Sequence, residues 1–280
     1  VVIREAGSEL AGSAPAVPLE ELLERTRDGL IPKIGADGTR PMDAYARPVG
    51  AVAAAGTSRV AIVVGGLGIS ATGTESAINR LPPDVTLAFA PYGGDLPRVS
   101  ASARQAGHEI LLQIPLEPFD YPNNDPGPHT LRVSVGQAEN LDRLHWLMAR
   151  IEAYVGVVGY MGARFTAEPA ALGPVLEEIG SRGLLYLDDG ASARSRAREV
   201  AGDRVPFAKA DLVLDAVTTP ADIDDRLLQL EQLAMERGYA IGMASAFPVS
   251  IERIAEWAKT DADRGIILVP LTALVGAGRS

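Results

Sequence analysis

Four carboxylates stand just past short apolar runs of this chain: Glu117 after Glu109 to Ile114, Asp188 and Asp189 after Leu184 to Leu187, and Asp215 after Leu212 to Leu214. Groups placed at the ends of buried strands are where an α/β barrel gathers its chemistry. Paired carboxylates there suit glycoside hydrolysis, one as acid and one as base or nucleophile, at a separation of about 5–10 Å. All four are therefore candidate catalytic residues. An all-oxygen set also suits Mg²⁺ or Ca²⁺ better than Zn²⁺, whose sites usually contain imidazole or thiolate. No cofactor is predicted, and a divalent cation stays as the alternative. Three of the four also have a structural reading: Asp188 as a cap for a helix opening near Ser192, Asp215 as a turn residue before Thr219-Pro220, and Glu117 as an acceptor that orders its loop.

Other polar groups share these positions. Gly65, Gly66, Tyr92, Gln113, Tyr160, Arg164 and Ser245 are the candidate ligand-binding residues. Tyr92, Tyr121 and Tyr160 offer faces for sugar rings, and Arg164 either pairs with a carboxylate or binds an anionic sugar. Gly66 to Ala71 reads G-x-G-x-x-A after a strand, a dinucleotide-type pattern. The acidic residue that should close the next strand is missing, since Val85 to Ala90 runs into Pro91-Tyr92, so a tight turn is the simpler reading. The chain has three histidines. His108 precedes its strand, His145 falls in a helical pattern, and only His129, in a Pro-rich loop, is placed to approach the strand ends. No two of them have ligand-like spacing.

The elements that must position these groups are legible as nearly continuous apolar runs: Val60 to Val64, Val85 to Ala90, Glu109 to Ile114, Tyr154 to Val158, Leu184 to Leu187, Leu212 to Leu214, Ala240 to Ala244 and Ile266 to Val269. Runs without alternation are strands buried on both faces, hence a parallel sheet. Helical spacing separates them. Leu141, Leu144, Leu147, Met148 and Ile151 recur at three and four within Gln137 to Glu152, and Leu227, Leu230, Leu233 and Ala234 do so within Ile223 to Arg237, before the stop signal Gly238. The alternation predicts an α/β fold. A closed barrel is expected from residue 59 to 280, with a doubly wound open sheet as the alternative. Residues 1 to 58, rich in Pro, Gly and Ala, read as an extended arm with one helix over Leu19 to Asp28. Leu30-Ile31-Pro32 and Met42 to Tyr45 leave docking on a core equally open.

The chain has 280 residues, a formal net charge of -10 and no cysteine. That charge disfavours nucleic acid and anionic membrane surfaces as partners. Disulfides, thiol nucleophiles and thiolate-held zinc are excluded. The most apolar stretch, Val49 to Val64, is interrupted by Thr57, Ser58 and Arg59 and does not read as a spanning helix. The start at Val1-Val2-Ile3 shows no leader pattern. It reads as trimmed, with any membrane anchor lying upstream.

The run Ile114-Pro-Leu-Glu-Pro through Asn123-Asn-Asp-Pro-Gly-Pro128 resembles the signature loop of the divergent polysaccharide deacetylases, relatives of the NodB-type carbohydrate esterases. Further similar segments follow in order: Arg59 to Val64 with Leu67-Gly68, Met161 to Phe165, Gly183 to Asp188, Ala210 to Asp215, and Val269 to Leu274. The resemblance implies a distorted (β/α) barrel of seven to eight units and a metal-dependent deacetylation of polysaccharide in which an aspartate and histidines hold the ion. It also implies a periplasmic protein, free or membrane-anchored. The matching positions depart from that metal site. Gly65-Gly66 stands where the family carries two aspartates, Gln113 where a histidine sits, Tyr160 for the histidine of Asn-Asn-His-Met-Gly, and Ser245 for that of Gly-His-Pro. The expectation is an envelope protein that binds a glycan or other polar ligand with deacetylation lost. The alternatives are a hydrolase or deacetylase working through the surviving carboxylates, and an envelope interaction protein that engages a protein partner through its arm.

Overall fold

Residues 14–49, 57–260 and 264–275 are described in a computed structural model of the chain. The arm is the first departure from expectation. Where a helix is predicted over Leu19 to Asp28, the chain makes a single 3-10 turn and then an antiparallel hairpin, β1 (Leu23–Thr26) against β2 (Gly29–Pro32). The physical reason is Asp28-Gly29, a hairpin signal stronger than the leucine spacing before it. Gly29 takes φ +135°, and Thr26 Oγ1 donates to its carbonyl while accepting from the Asp28 N–H, at 3.0 and 3.2 Å. A short helix, α1 (Pro41–Ala44), follows. Docking also holds: Leu22, Ile31 and Tyr45 are buried.

The body consists of β3 (Ser58–Leu67), β4 (Thr86–Phe89), β5 (Ile110–Leu116), β6 (Gly156–Met161), β7 (Leu185–Asp188), β8 (Phe207–Lys209), β9 (Leu212–Val213), β10 (Tyr239–Ser245) and β11 (Ile266–Leu268). Every pairing among them is parallel, in the order β8-β7-β6-β5-β4-β3-β10-β9. The β11 strand lies along the first half of β3, and β4 along its second half. The two edge strands are neighbours in sequence. Only Ala210-Asp211 separates them, and the Ala210 N–H donates to the Asp188 carbonyl while the Asp211 N–H donates to that of Ile241. One kinked segment therefore reaches from one edge to the other, and the sheet must curl. This is the distorted barrel in place of a doubly wound open sheet, but not the closed one expected: β8 and β9 end the path without pairing, because the two residues between them bond back to β7 and β10 and not across the seam. The β8 strand, three residues ending in Lys209, carries no apolar run that would announce it.

The crossovers hold α2 (Ala71–Arg80), α3 (Leu96–Gln105), α4 (Gln137–Met148), α5 (Pro169–Ser181), α6 (Ala197–Ala201), α7 (Pro220–Arg237) and α8 (Pro248–Trp257). Their ends are set locally. Thr219 caps α7 by accepting from the Asp222 N–H, Pro220 opens it, and Gly238 closes it at φ +81°. Burial falls into two layers. Val60, Ile62 and Val64 of β3 pack outward against helix residues such as Leu227, Leu230 and Ile251. Ala61 and Val63 point inward with Leu111, Val158, Leu187 and Met243, and the arm's Leu22 and Tyr45 join this inner layer together with Leu271 and Leu274. The period of two along each strand decides which side chains reach the mouth.

Candidate functional site

Continuing the inward positions past the last buried layer gives Gly65 on β3, Gln113 on β5, Tyr160 on β6, Asp189 after β7, Asp215 after β9 and Ser245 on β10. These residues line one cleft of about 560 Å³ at the C-terminal ends of the strands, where Gly66 and Tyr92 join them. Eight of the sequence-predicted site residues thus come together. Glu117, Asp188 and Arg164 do not line it.

Each of those three is committed elsewhere. Glu117 is buried, accepts the Val133 N–H on Oε2 at 2.6 Å, and meets Arg164 Nη1 at 3.0 Å through Oε1. This is the loop-ordering reading. Arg164 is correspondingly the partner of a carboxylate, away from the cleft where it would have met an anionic sugar. Asp188 alternates outward from the barrel; its Oδ1 accepts the Gly190 N–H at 2.9 Å and its Oδ2 accepts from the Ser195 hydroxyl.

The two cleft carboxylates are held differently. Asp215 is 6% exposed, and its Oδ2 accepts from the Ser245 N–H at 2.7 Å and the Ser250 hydroxyl at 2.8 Å, leaving Oδ1 without a hydrogen-bond partner among the described residues. Among the described residues, Asp189 accepts only the Ala191 N–H, at 2.9 Å through Oδ1. Desolvation pushes its carboxyl up to about 6, the Asp188 charge adds to this, and the Ala191 bond and Lys209 oppose it. A carboxyl titrating there can give or take a proton near neutrality.

Gln113 is 7% exposed and its orientation is set by the backbone: Oε1 accepts the Gly66 N–H at 2.7 Å. That bond assigns the oxygen end of the amide, so Nε2 remains as a donor. The pair Gly65-Gly66 makes the arrangement possible. Both glycines lie inside β3, at the register shift between Val64 and Leu67, and not in the turn beyond it. Gly66 needs φ +79°, and a Cβ on Gly65 would sit 3.0 Å from Gln113 Nε2. The G-x-G-x-x-A pattern is a bulge followed by the Ser70 cap of α2, whose Oγ accepts from the Gly73 N–H.

Sequence reasoning missed the apolar half of the site. Ile69, Tyr160, Val213 and Phe247 are all lining residues and all markedly exposed, unusual for large side chains gathered at one opening. Of these four, only Tyr160 was named beforehand, as a strand-end residue with a face for a sugar ring. Tyr92 donates its hydroxyl to the Pro128 carbonyl, pinning the Pro-rich loop over one wall. Tyr121 lies outside the lining, with the Arg132 guanidinium 5.7 Å from its ring.

The histidines sit elsewhere. His108 Nδ1 is 2.8 Å from the Val85 carbonyl, His145 Nε2 is 2.6 Å from Glu178 Oε1, and His129 stacks on Trp146 at 3.8 Å and does not reach the mouth. Among the described residues, no three His, Cys, Asp or Glu side chains are grouped so as to hold a metal ion. Among the described residues, the side-chain groups that line the cleft are the carboxylates of Asp189 and Asp215, the Gln113 amide and the hydroxyls of Ser70, Tyr92, Tyr160 and Ser245, a set without imidazole that does not fit an aspartate-and-histidine metal site. Among the described residues no helix is long and apolar enough to cross a membrane.

Comparison with known proteins matches this geometry to a family. A solved structure of an uncharacterised protein from Agrobacterium tumefaciens C58 is 52% identical, covers 88% of this chain and 100% of its own, and superposes with a TM-score of 0.85. The catalytic domain of a peptidoglycan N-acetylglucosamine deacetylase from Eubacterium rectale ATCC 33656 shares the fold at 13% identity and a TM-score of 0.50, over 78% of this chain and 90% of that one. An uncharacterised protein of Haemophilus influenzae is 23% identical over 195 residues, 69% of either chain. An Escherichia coli K12 relative, YibQ, is 22% identical over 63% of this chain, which spans only 55% of that protein's length. The model of the divergent polysaccharide deacetylase family matches residues 62–275, and the chain belongs to that family.

Proposed function

We propose that the chain is an envelope protein of bacterial carbohydrate metabolism that binds a glycan in its strand-end cleft, with metal-dependent deacetylation lost. The observation that carries this reading is the composition of the cleft. Fixed polar groups from Gln113, Asp189 and Asp215 sit beside the exposed apolar faces of Tyr160 and Phe247, which suits a ring with one polar edge and one apolar face. Imidazole is missing from the lining among the described residues. Periplasmic residence, free or anchored, is part of the same proposal, and the likeness to an envelope-acting family is its support.

The test is calorimetric titration with chito-oligosaccharides alongside metal analysis of the purified protein. Saturable binding without stoichiometric metal, lost on Gln113→Ala, is the expected result. Stoichiometric zinc together with release of acetate from chito-oligosaccharides or peptidoglycan fragments would overturn it. A second reading has one observation in its favour. The Asp189 carboxyl, pushed up to about 6 by desolvation, lines the same cleft as Asp215, and a carboxyl raised in this way is what a glycoside hydrolase uses as its proton donor opposite a second acid. Turnover of a glycan that disappears on Asp189→Asn would establish that reading instead.

A further inference from the structure

The cleft contains two carboxylates, Asp189 and Asp215, and no Lys, Arg or His among its lining residues. Two of the charged groups nearby are directed elsewhere: Arg164 is spent on Glu117, and Arg194 lies over the Phe119 ring at 5.3 Å. Lys209, exposed on β8, acts on Asp189 from outside the lining, and less strongly than desolvation, which wins in raising that carboxyl. The rest of the wall is largely apolar, which weakens screening and strengthens the field of the two acids inside it. Asp215 adds the decisive detail: it is more than nine-tenths buried, its Oδ2 is doubly hydrogen-bonded, and its Oδ1 has no partner among the described residues. Gln113 is buried to the same degree, and among the described residues its Nε2 has no partner either. Neither atom is sealed from solvent: both open on the cleft, where they are free to meet a ligand's own groups.

We infer that the cleft selects a glycan carrying a free protonated amine, an amino sugar without an acetyl group, over N-acetylated, neutral and anionic sugars. The inference rests on the reading of the cleft as a glycan site and names the class of sugar. An ammonium group supplies several donors and a positive charge to two acceptor-only carboxylates. A hydroxyl oxygen of the same ring can accept from Gln113 Nε2. An N-acetyl group supplies one uncharged N–H and brings a carbonyl oxygen toward like partial charge. A uronate or a phosphorylated sugar meets two like charges with no cation in the lining to offset them.

The test compares four tetrasaccharides by calorimetry under identical salt, those of glucosamine, N-acetylglucosamine, glucose and galacturonate, at a pH above about 6, where the Asp189 carboxyl is ionised, and low enough that the sugar amine is still protonated. The glucosamine tetramer is expected to bind about tenfold or more tightly than the next best, the effect of one charge-assisted hydrogen bond. Asp189→Asn and Asp215→Asn should each cut that preference several-fold, and raising the pH until the amine is neutral should abolish it. Non-specific attraction to an acidic surface is separated by the same variants, because they leave all surface carboxylates in place. Since Asp215 also anchors Ser245 and Ser250, Asp215→Asn is checked for folding by circular dichroism, and Asp189→Asn decides alone if it fails. Equal or tighter binding of the acetylated or neutral tetramer, or a preference that survives substitution, overturns the inference and leaves the glycan reading intact. Binding of none of the four overturns both.

Discussion

Asp189 and Asp215 face the same space, yet their surroundings give them different chemistry. Asp215 is anchored through one oxygen by a backbone amide and a serine, whereas Asp189 has a single amide partner and lies next to the Asp188 charge. Its carboxyl is therefore raised to about 6, which means that folding favours the protonated form. The sign of the pH dependence follows. The contribution to stability is complete below the ordinary carboxylate range, and it is lost as the pH rises through about 6. At pH above that point Asp189→Asn should raise stability by about 1–2 kcal/mol, less than the whole shift because the carboxyl opens on to the cleft. The asparagine oxygen can still accept from Ala191, so the loop keeps its bond. Denaturation midpoints of both proteins across pH 4 to 8 check this (roughly the span in which a raised carboxylate titrates), and parallel curves would refute it. At this scale much of the site was readable beforehand, because residues at strand ends were named and the inward-facing ones among them met in the cleft. Glu117, Asp188 and Arg164 were misplaced for a physical reason: closeness to a strand end does not say whether a side chain turns inward or finds a nearer backbone partner.

The elements owe their spacing to small residues where strands approach. A Cβ on Gly156 of β6 would lie 2.4 Å from the Leu185 carbonyl oxygen and equally close to that residue's Cγ on β7. Gly156→Ala should therefore force the two strands apart and cost about 3 kcal/mol or more, at the upper end of overpacking effects, because backbone cannot yield as a side-chain tip can. Urea titration reads this directly, and an unchanged midpoint would show that β6 and β7 are not held at this separation. Strands and helices with strong apolar periodicity were legible in the sequence, as with β3, β5, β10, α4 and α7. Two elements were not. The β1–β2 hairpin was hidden behind leucines at helical spacing, and its Asp28-Gly29 turn outweighed them once Ile31 could be buried. The β8 strand is too short to show a pattern, although with β9 it is what lets the sheet curl, because sheet edges are joined by tertiary proximity that no local run of residues encodes.

The molecule as a whole is a barrel with a cleft at its mouth and its opposite end filled by its own chain. Tyr45 is the largest piece of that filling, 2% exposed, grouped with inward residues of the strands, with the Arg104 guanidinium 5.6 Å from its ring. Its hydroxyl accepts the Leu19 N–H at 2.8 Å, which ties the start of the hairpin to the end of the arm. Glu109, buried at the foot of β5, accepts the Arg47 N–H and the Thr272 N–H and hydroxyl, so the arm and the last 3-10 turn meet on one carboxylate. The described part of the arm, residues 14–49, therefore packs with the barrel, and Leu22 and Tyr45 are turned into it. Two substitutions separate the parts of this anchoring. Tyr45→Phe keeps the ring and loses one hydrogen bond, which should cost about 1 kcal/mol. Tyr45→Ala empties an aromatic site and should cost about 3–5 kcal/mol. Both lie at the far end of the barrel from Asp189 and Asp215, so ligand affinity at the cleft should stay unchanged in whichever variant remains folded. Thermal unfolding combined with calorimetry distinguishes the outcomes: a graded loss of stability with constant affinity marks the arm as a plug, while a loss of affinity in Tyr45→Phe would mean that the floor and the mouth are coupled.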